Sequence, residues 1–191
     1  MPAAAAEPVV ERLDPTRLDA LEPLWEALLS RHAEVWGLLP MREPHHSWTL
    51  RRGQYERWLA DEGSFVLVAR RDDVLVGYLM VDVGEGDETY ATGERVARLE
   101  TLVVAEGERN AGVGGLLFDA AMTELERLGV DDLFVGYMDG NEDARRFYER
   151  RGFTPFVHHL YAGGPAHDRP RRRTRERDPL RQRDRRQPGD A

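Results

Sequence analysis

The sequence predicts a mixed α/β domain in which strands outnumber helices, and two patterns support this prediction. Short runs rich in β-branched and aromatic residues alternate with longer segments that carry apolar residues at helical spacing. Several of the predicted strands follow one another closely enough to pair antiparallel. With 191 residues, of which 41% are hydrophobic, the chain is long enough to bury one full core.

The first half of the chain predicts a strand, two helices and a hairpin. The first helix has leucine and tryptophan residues at helical spacing, and the hairpin turns around Asp72 and Asp73. In order, the predictions are a strand at 8–13, a helix at 15–36, a polar loop at 37–48, a helix at 49–63 and a hairpin at 64–83.

The second half continues the alternation of strands and helices. It contains no internal repeat. The predicted elements are a strand at 97–104, a helix at 113–129, a strand at 131–138, a helix at 141–152 and a strand pair or bent strand at 153–162.

Composition divides the chain into a domain at 1–162 and a tail at 163–191. The tail has ten arginines, five acidic residues, one leucine and no aromatic residue, so it cannot bury enough apolar surface to order itself. We expect it to be disordered. Its arginines alternate with acids and it offers no ring for base stacking, which argues against a nucleic-acid partner. Because the whole chain has a net charge of −8, the domain carries about −13.

The residue types that are missing exclude several kinds of chemistry. There is no cysteine, which excludes disulfides, thiol nucleophiles and iron–sulfur ligation, and all 27 basic residues are arginine, which excludes a phosphate-loop lysine. No apolar run reaches the length of a membrane span, and the N-terminal residues do not have the pattern of a secretory signal. We therefore expect a cytoplasmic protein that has no membrane partner.

A glycine-containing loop with one arginine precedes the helix at 113–129. Backbone N–H groups at a helix N-terminus attract anions, and glycines let a phosphate approach the backbone. The segment lacks the Gly-Lys-Ser/Thr of a P-loop, and Leu117 takes the place of the third glycine of a dinucleotide fingerprint. Taken alone, the loop fits an anion site and a simple glycine turn equally well.

Two motifs together give the sequence a family resemblance. The first is R-x-x-G-x-G, Arg109 to Gly114, between an apolar strand and an amphipathic helix. The second is N-x-x-A-x-x-F-Y-x-x-x-G-F. In order and context, the two resemble the GNAT superfamily of acyl-CoA-dependent N-acetyltransferases over roughly residues 8–162. The proline that often follows the family's strand is missing from "VVAEGER". The second motif is formed by Asn141, Ala144, Phe147, Tyr148, Gly152 and Phe153.

The resemblance implies a fold and a cofactor site. The fold would be a mostly antiparallel sheet with a splayed strand pair, flanked by about four helices, and acetyl-CoA would be the acyl donor, without a metal. Tyr148 would protonate the departing thiolate, whereas Phe147 belongs to the core. The remaining family contacts would come from the strand that the pantetheine joins, the pyrophosphate loop and the residue facing the pantetheine arm: Leu102, Val103, Val104, Arg109, Asn110, Ala111, Gly112, Val113, Gly114 and Asn141.

The implied reaction is direct attack of a primary amine on the thioester through a tetrahedral intermediate. The attacking amine must lose a proton, and Glu100 is our candidate for the base. Regular alternation would place Leu99, Thr101 and Val103 on one face of the strand and Glu100 with its apolar neighbours on the other. A carboxylate in an apolar strand is costly unless it has a role. Glu100 therefore serves either as the base, through a water, or in a structural salt bridge with an arginine.

The acceptor is the least defined part of the reaction. The loop at 37–48 stands where the family builds its acceptor pocket, and Trp36, His45, His46 and Trp48 could line it. The acidic domain favours a cationic small-molecule amine, a peptide N-terminus or a lysine as acceptor. The adjacent His45–His46 and His158–His159 pairs do not form a ready metal site. A homodimer is one assembly open to the chain. The alternative function is a non-catalytic acyl-CoA-binding regulatory module that uses the arginine-rich tail to engage a partner.

Overall fold

A five-stranded sheet with the strand order β1-β2-β3-β4-β5 forms the centre of the protein. The computed structural model describes residues 6–37 and 39–161. The first four strands pair antiparallel, and β5 runs parallel to β4. The predicted mixed α/β fold with a mostly antiparallel sheet is confirmed. The strands are β1 (Val9–Arg12), β2 (Phe65–Arg71), β3 (Val74–Glu85), β4 (Arg95–Val104) and β5 (Asp132–Val135).

Helices cover both faces of this sheet, so two hydrophobic cores form. One core lies between the sheet and the helices α3 and α4, and the other lies between the sheet and the helices α1 and α2. The four α-helices agree with the predicted number. They are α1 (Glu22–Val35), α2 (Pro44–Leu59), α3 (Val113–Leu128) and α4 (Glu142–Glu149); a 3₁₀ helix (Pro15–Leu21) precedes α1, and a 3₁₀ turn (Glu106–Glu108) follows β4.

Helix α3 packs closely on β3 because Gly77 has no side chain. A Cβ atom at this position would lie 2.9 Å from the carbonyl oxygen of Val103 and 3.2 Å and 3.3 Å from side-chain atoms of Leu117 and Val113. The apolar residues of α3 recur at helical spacing and face the sheet. Gly77 therefore allows the close approach to the sheet of α3, the helix that follows the glycine-containing loop.

Several element boundaries differ from the predictions, and the two largest differences are in the first half of the chain. Helix α2 begins at Pro44 rather than at 49, because Pro44 suits the first helical turn and the Glu43 carboxylate accepts hydrogen bonds from two backbone N–H groups of that turn. The helix predicted at 15–36 is a 3₁₀ helix followed by α1. Pro23, in the first turn of α1, has no N–H to continue the preceding helix.

The strand predicted at 153–162 is wrong for its described part. Residues 153–161 contain no strand. Pro155 cannot donate to a ladder, and the apolar side chains of Phe156, Val157 and Leu160 are exposed instead of alternating against a core. The predicted disordered tail at 163–191 lies outside the described residues. No helix in the described ranges has the length and apolar character to cross a membrane.

Candidate functional site

The parallel strands β4 and β5 part halfway along β4. Their last pair is Leu99 with Val135, although β4 continues to Val104. Strand β3 still pairs with β4 through Leu102, Val103 and Val104, whereas no described strand occupies the β5 side there. The last residues of β4 therefore present an open strand edge to which an extended chain can add.

Glu100 occupies a β-bulge at the point where β4 and β5 part. Met80 pairs with Thr101 and Val81 pairs with Leu99, so Glu100 has no partner residue on β3. The predicted alternation is wrong because the extra residue of a bulge shifts the pattern by one. Leu99 packs under α3, whereas the Thr101 hydroxyl bonds Tyr55 of α2 on the opposite face. Nothing in the apolar pattern of the strand marks this bulge.

The Glu100 carboxylate is half-buried and faces an arginine that the sequence analysis missed. Its Oε2 lies 4.0 Å from Nη1 of Arg51 on α2, which is an ion-pair distance but not a hydrogen bond. Burial raises the pKa of Glu100, and the nearby Asp82 carboxylate raises it further, while Arg51 and Arg98 oppose the shift. The balance is a carboxylate that takes up a proton more readily than an exposed one.

The loop from Ala105 to Gly112 leads directly from β4 into α3. Asn110 and Gly112 have φ angles of 63° and 85°, and these two left-handed residues turn the chain into the helix. No side chain caps the N-terminus of α3, so the first N–H groups of the helix are open. Arg109 is exposed and forms no ion pair with any described residue. The loop thus presents open donors and one uncommitted cation.

An ion pair that the sequence analysis missed holds this loop against the sheet. Arg71, the last residue of β2, contacts the Glu108 carboxylate through Nε and Nη2 at 3.0–3.3 Å. Both side chains are largely buried. Arg71 also donates to the Ala6 carbonyl. The charge pattern offered no means of choosing this pair, because β2 and the loop are distant in sequence.

Tyr148 lies on α4, in the core beside α3. Its ring stacks on Tyr137, two residues beyond the end of β5, and meets Phe147 and Phe153 edge to face. The side chain is 7% exposed, and burial raises the pKa of its hydroxyl. Tyr148 therefore remains protonated at neutral pH, and its ring lies against a residue that follows β5.

Asn141 begins α4 rather than standing free. Its Oδ1 accepts a hydrogen bond from the backbone N–H of Ala144 at 3.2 Å, which is the usual task of an N-cap residue. The side-chain amide group keeps its N–H donors. The position therefore has a structural task and a remaining capacity to donate.

The four residues expected to line an acceptor pocket separate into two groups. His45 and Trp48 line a cleft of about 230 Å³ between the 3₁₀ helix, α1 and α2. His45 is held by Glu22, Nδ1 to Oε1 at 2.7 Å, and Trp48 is buried in the core. Trp36 ends α1 and His46 lies in the first turn of α2, and neither lines that cleft. In the described ranges, no cluster of three His, Cys, Asp or Glu side chains is arranged to hold a metal ion.

The parted strand pair and the helix with an open N-terminus after β4 agree with the fold that the family resemblance implied. Residues 21–153 match the Acetyltransferase (GNAT) family. The chain belongs to this family, as the two motifs predicted.

Known proteins agree with this assignment. The mycothiol acetyltransferase of Thermobispora bispora is 31% identical over 161 residues, which cover 80% of this chain and 51% of that protein. The chain spans about half to three fifths of the length of the first curated relatives it matches.

Solved structures share the fold at low sequence identity. The tetramutant of a Bacillus halodurans protein has a TM-score of 0.67 at 20% identity, over 81% of this chain and 99% of that one. An aminoglycoside N-acetyltransferase in complex with CoA has a TM-score of 0.62 at 15% identity, over 86% and 99%. At these identities the likeness shows the fold.

Proposed function

We propose that the protein is an N-acetyltransferase that moves the acetyl group of acetyl-CoA to a primary amine. The observation that carries the proposal is the parting of β4 and β5 directly before a loop whose helix has an open N-terminus. The first feature suits an extended pantetheine chain and the second suits a pyrophosphate. The complex of a related fold with CoA supports the same donor.

The residues around the parting strands fit such a donor. The N–H groups at Gly112–Gly114 and the uncommitted Arg109 supply positive ends for phosphate. A Cβ atom at Gly114 would make only ordinary contacts, 3.6 Å to Val104 and 3.7 Å to Phe147, so the fold itself does not require glycine here. We assign the remaining contacts to Leu102, Val103, Val104, Asn110, Ala111 and Asn141.

The proposed reaction needs no covalent enzyme intermediate. The amine nitrogen forms a bond to the thioester carbonyl carbon, a tetrahedral intermediate follows, and the carbon–sulfur bond breaks. Glu100 takes the amine proton, and Tyr148 gives its hydroxyl proton to the leaving thiolate. Return of a proton from Glu100 to Tyr148 by way of solvent restores the enzyme, so protons and charge balance.

The two side chains suit these opposite tasks. Burial raises the pKa of Tyr148, so the hydroxyl carries at neutral pH the proton that the thiolate needs, while the same shift makes it a weaker acid than an exposed tyrosine. Burial also raises the pKa of Glu100, which makes the carboxylate a stronger base than an exposed glutamate. Glu100 comes directly after Leu99, the last residue of β4 that pairs with β5. The Tyr148 ring stacks on Tyr137, which lies beyond the end of β5.

The test is CoA release in the presence of a panel of primary amines. Because the chain has no cysteine, a thiol-reactive dye detects only the CoA product. We expect release that requires both acetyl-CoA and an amine. Thermal stabilisation by acetyl-CoA without turnover on any amine would overturn the enzymatic proposal and favour the non-catalytic acyl-CoA-binding module.

A further inference from the structure

Arg51 lies beside the proposed base, Glu100. Among the described residues, the Arg51 guanidinium has no carboxylate partner in hydrogen-bonding geometry. Its guanidinium carbon lies 4.7 Å from the Trp25 ring centre and 5.7 Å and 5.8 Å from those of Tyr55 and Trp58. Contacts of this kind fix the position of a guanidinium group through its face. The N–H groups, which lie in the plane of the group, are left for other partners.

Those N–H groups make no hydrogen bond to any residue in the described ranges. The Glu100 carboxylate, at 4.0 Å, is too distant for one. Arg71, of similar burial, makes a bidentate contact with Glu108. A rigid, partly buried guanidinium with free donors matches the geometry of a carboxylate, which accepts two parallel hydrogen bonds.

The distance between Arg51 and Glu100 limits what can bind to both. An amine nitrogen bound to Glu100 and a carboxylate oxygen bound to Arg51 would each form a contact of about 2.8 Å. In an α-amino acid these two atoms are about 3 Å apart, given standard bond lengths. An α-amino acid that makes both contacts can therefore bridge the 4.0 Å between Nη1 of Arg51 and Oε2 of Glu100. An acceptor whose amine nitrogen and carboxylate oxygen are more than about 10 Å apart could not contact both groups across this gap.

The charges around Glu100 are also balanced. The groups that act on it are two guanidinium groups, Arg51 and Arg98, and one further carboxylate, Asp82. With Glu100 itself, the set has two positive and two negative members. This arrangement suits a zwitterion better than a polycation, in spite of the acidic domain as a whole.

We propose that Arg51 binds the carboxylate of the acceptor beside the amine that Glu100 deprotonates, and that the preferred acceptors are amines that carry a carboxylate within this reach, as α-amino acids do. The proposal rests on the proposed function of the same site. It names a residue that determines specificity, together with the substrate class that this residue selects.

The test compares an amino acid with its carboxamide, for example methionine with methioninamide. We expect Arg51→Gln to lower kcat/KM for the acid about 10- to 100-fold more than for the amide. The two amines differ in basicity, but that difference cancels when the acid-to-amide ratio is compared between the variant and the original protein. Arg51→Lys, which keeps the charge, should recover part of the preference.

The matched control is Arg57→Gln on the same helix. Arg57 is exposed, and among the described residues its side chain hydrogen-bonds only Gln54, so the acid-to-amide ratio should not change. An equal loss on acid and amide in Arg51→Gln would overturn the proposal. A gain on cationic amines without a carboxylate would also overturn it, by showing that Arg51 occupies the ammonium site.

A measurement on the unaltered protein covers the case in which Arg51 variants do not fold. A carboxylic acid that lacks the amine should compete with the amino acid and change the emission of the tryptophans around Arg51, whereas its amide should do neither. Equal effects of acid and amide would overturn the proposal. Acetylation of simple amines without a preference for a carboxylate would refute this inference alone, whereas no acetylation of any amine would refute the proposed function.

Discussion

Glu100 combines an unusual backbone position with an unusual charge environment. It is the extra residue of a bulge, and such residues commonly direct a side chain toward a site. Because burial raises its pKa, the folded protein holds the proton of Glu100 more tightly than the unfolded chain does. The ionised form is therefore the form that the fold tolerates less well.

Glu100→Gln should lower activity and raise stability together. We expect the loss of turnover to be largest at low pH and to shrink toward alkaline pH, where more of the amine is already neutral. The melting temperature should exceed that of the unaltered protein at pH 8, where Glu100 is ionised. This gain should disappear as the pH falls below the pKa of Glu100. Calorimetry checks the melting temperatures, and rate–pH profiles check the turnover. A gain in melting temperature that grows toward low pH would contradict a raised pKa of Glu100.

Tyr148→Phe should distinguish the role of the hydroxyl from that of the ring, because it removes only the hydroxyl. The ring packs among Tyr137, Phe147 and Phe153, and phenylalanine keeps those contacts. We expect an unchanged melting temperature and unchanged acetyl-CoA affinity, with kcat lower by about 10²- to 10⁴-fold. Stopped-flow or steady-state measurement of CoA release provides the check. Turnover equal to that of the original protein would rule out Tyr148 as the acid.

At the scale of elements, the loop before α3 is fixed at both ends. Arg71 and Glu108 tie its start to β2, and the close approach at Gly77 seats the helix that follows it on β3. Backbone donors that are held in place need not be reorganised when an anion binds. The rigidity of the candidate pyrophosphate site therefore comes from the sheet beneath it.

Arg109→Ala combined with Gly114→Asp should abolish the thermal shift that acetyl-CoA produces. A ligand that binds only the folded state raises its stability, and the double variant removes a cation and introduces an anion. Gly114→Ala is the matched control for the fold, because a Cβ atom there meets only ordinary contacts. A shift of the original size in the double variant would refute the loop assignment.

Gly77→Ala and Gly53→Ala should change stability in opposite directions. The alanine at 77 would push α3 from the sheet and cost about 1–3 kcal/mol, as overpacking does. At 53, within α2, the nearest atom would lie 3.7 Å away on the flexible Arg57 side chain, so alanine should stabilise by about 0.5–1 kcal/mol. Chemical denaturation measures both. Equal effects would show that Gly77 does not set the helix–sheet distance.

The sequence predicts the elements better than it predicts their contacts. The motif that spans Arg109 and Gly114 and the second motif at 141–153 together identified the family, because the two occur in the expected order and context. The bulge at Glu100 and the position of Arg51 depend on how strands and helices meet in space, and the local pattern carries no signal of either. The C-terminal strand was mispredicted because aromatic and β-branched residues are frequent there, although Phe156, Val157 and Leu160 are exposed and Pro155 cannot donate to a ladder.

At the scale of the whole molecule, we propose that residues 1–162 form the acetyltransferase domain and that 163–191 add no part of the site. The candidate donor and base residues, with Arg51, all fall within 51–148. The domain is strongly acidic and the tail is basic, so the two segments attract each other weakly at low ionic strength.

Truncation after Ala162 should leave folding and acetyl-CoA binding nearly unchanged. A segment with one leucine and no aromatic residue contributes few buried contacts. Thermal unfolding with and without acetyl-CoA compares the two forms, and loss of the folded state would contradict the proposed boundary. Salt-sensitive binding of nucleic acid by the full chain, absent from the truncated form, would give the tail a partner of its own.

The bulge adds the Glu100 carboxylate to β4 without changing how the rest of the strand pairs with β3. With Glu100 set aside, Leu99 and Thr101 pair with consecutive residues of β3 and point to opposite faces, as neighbours in an unbroken strand do. The ladder on either side therefore has the same register with or without the extra residue. Insertion or deletion of one codon could therefore add or remove the Glu100 carboxylate without rebuilding either hydrophobic core.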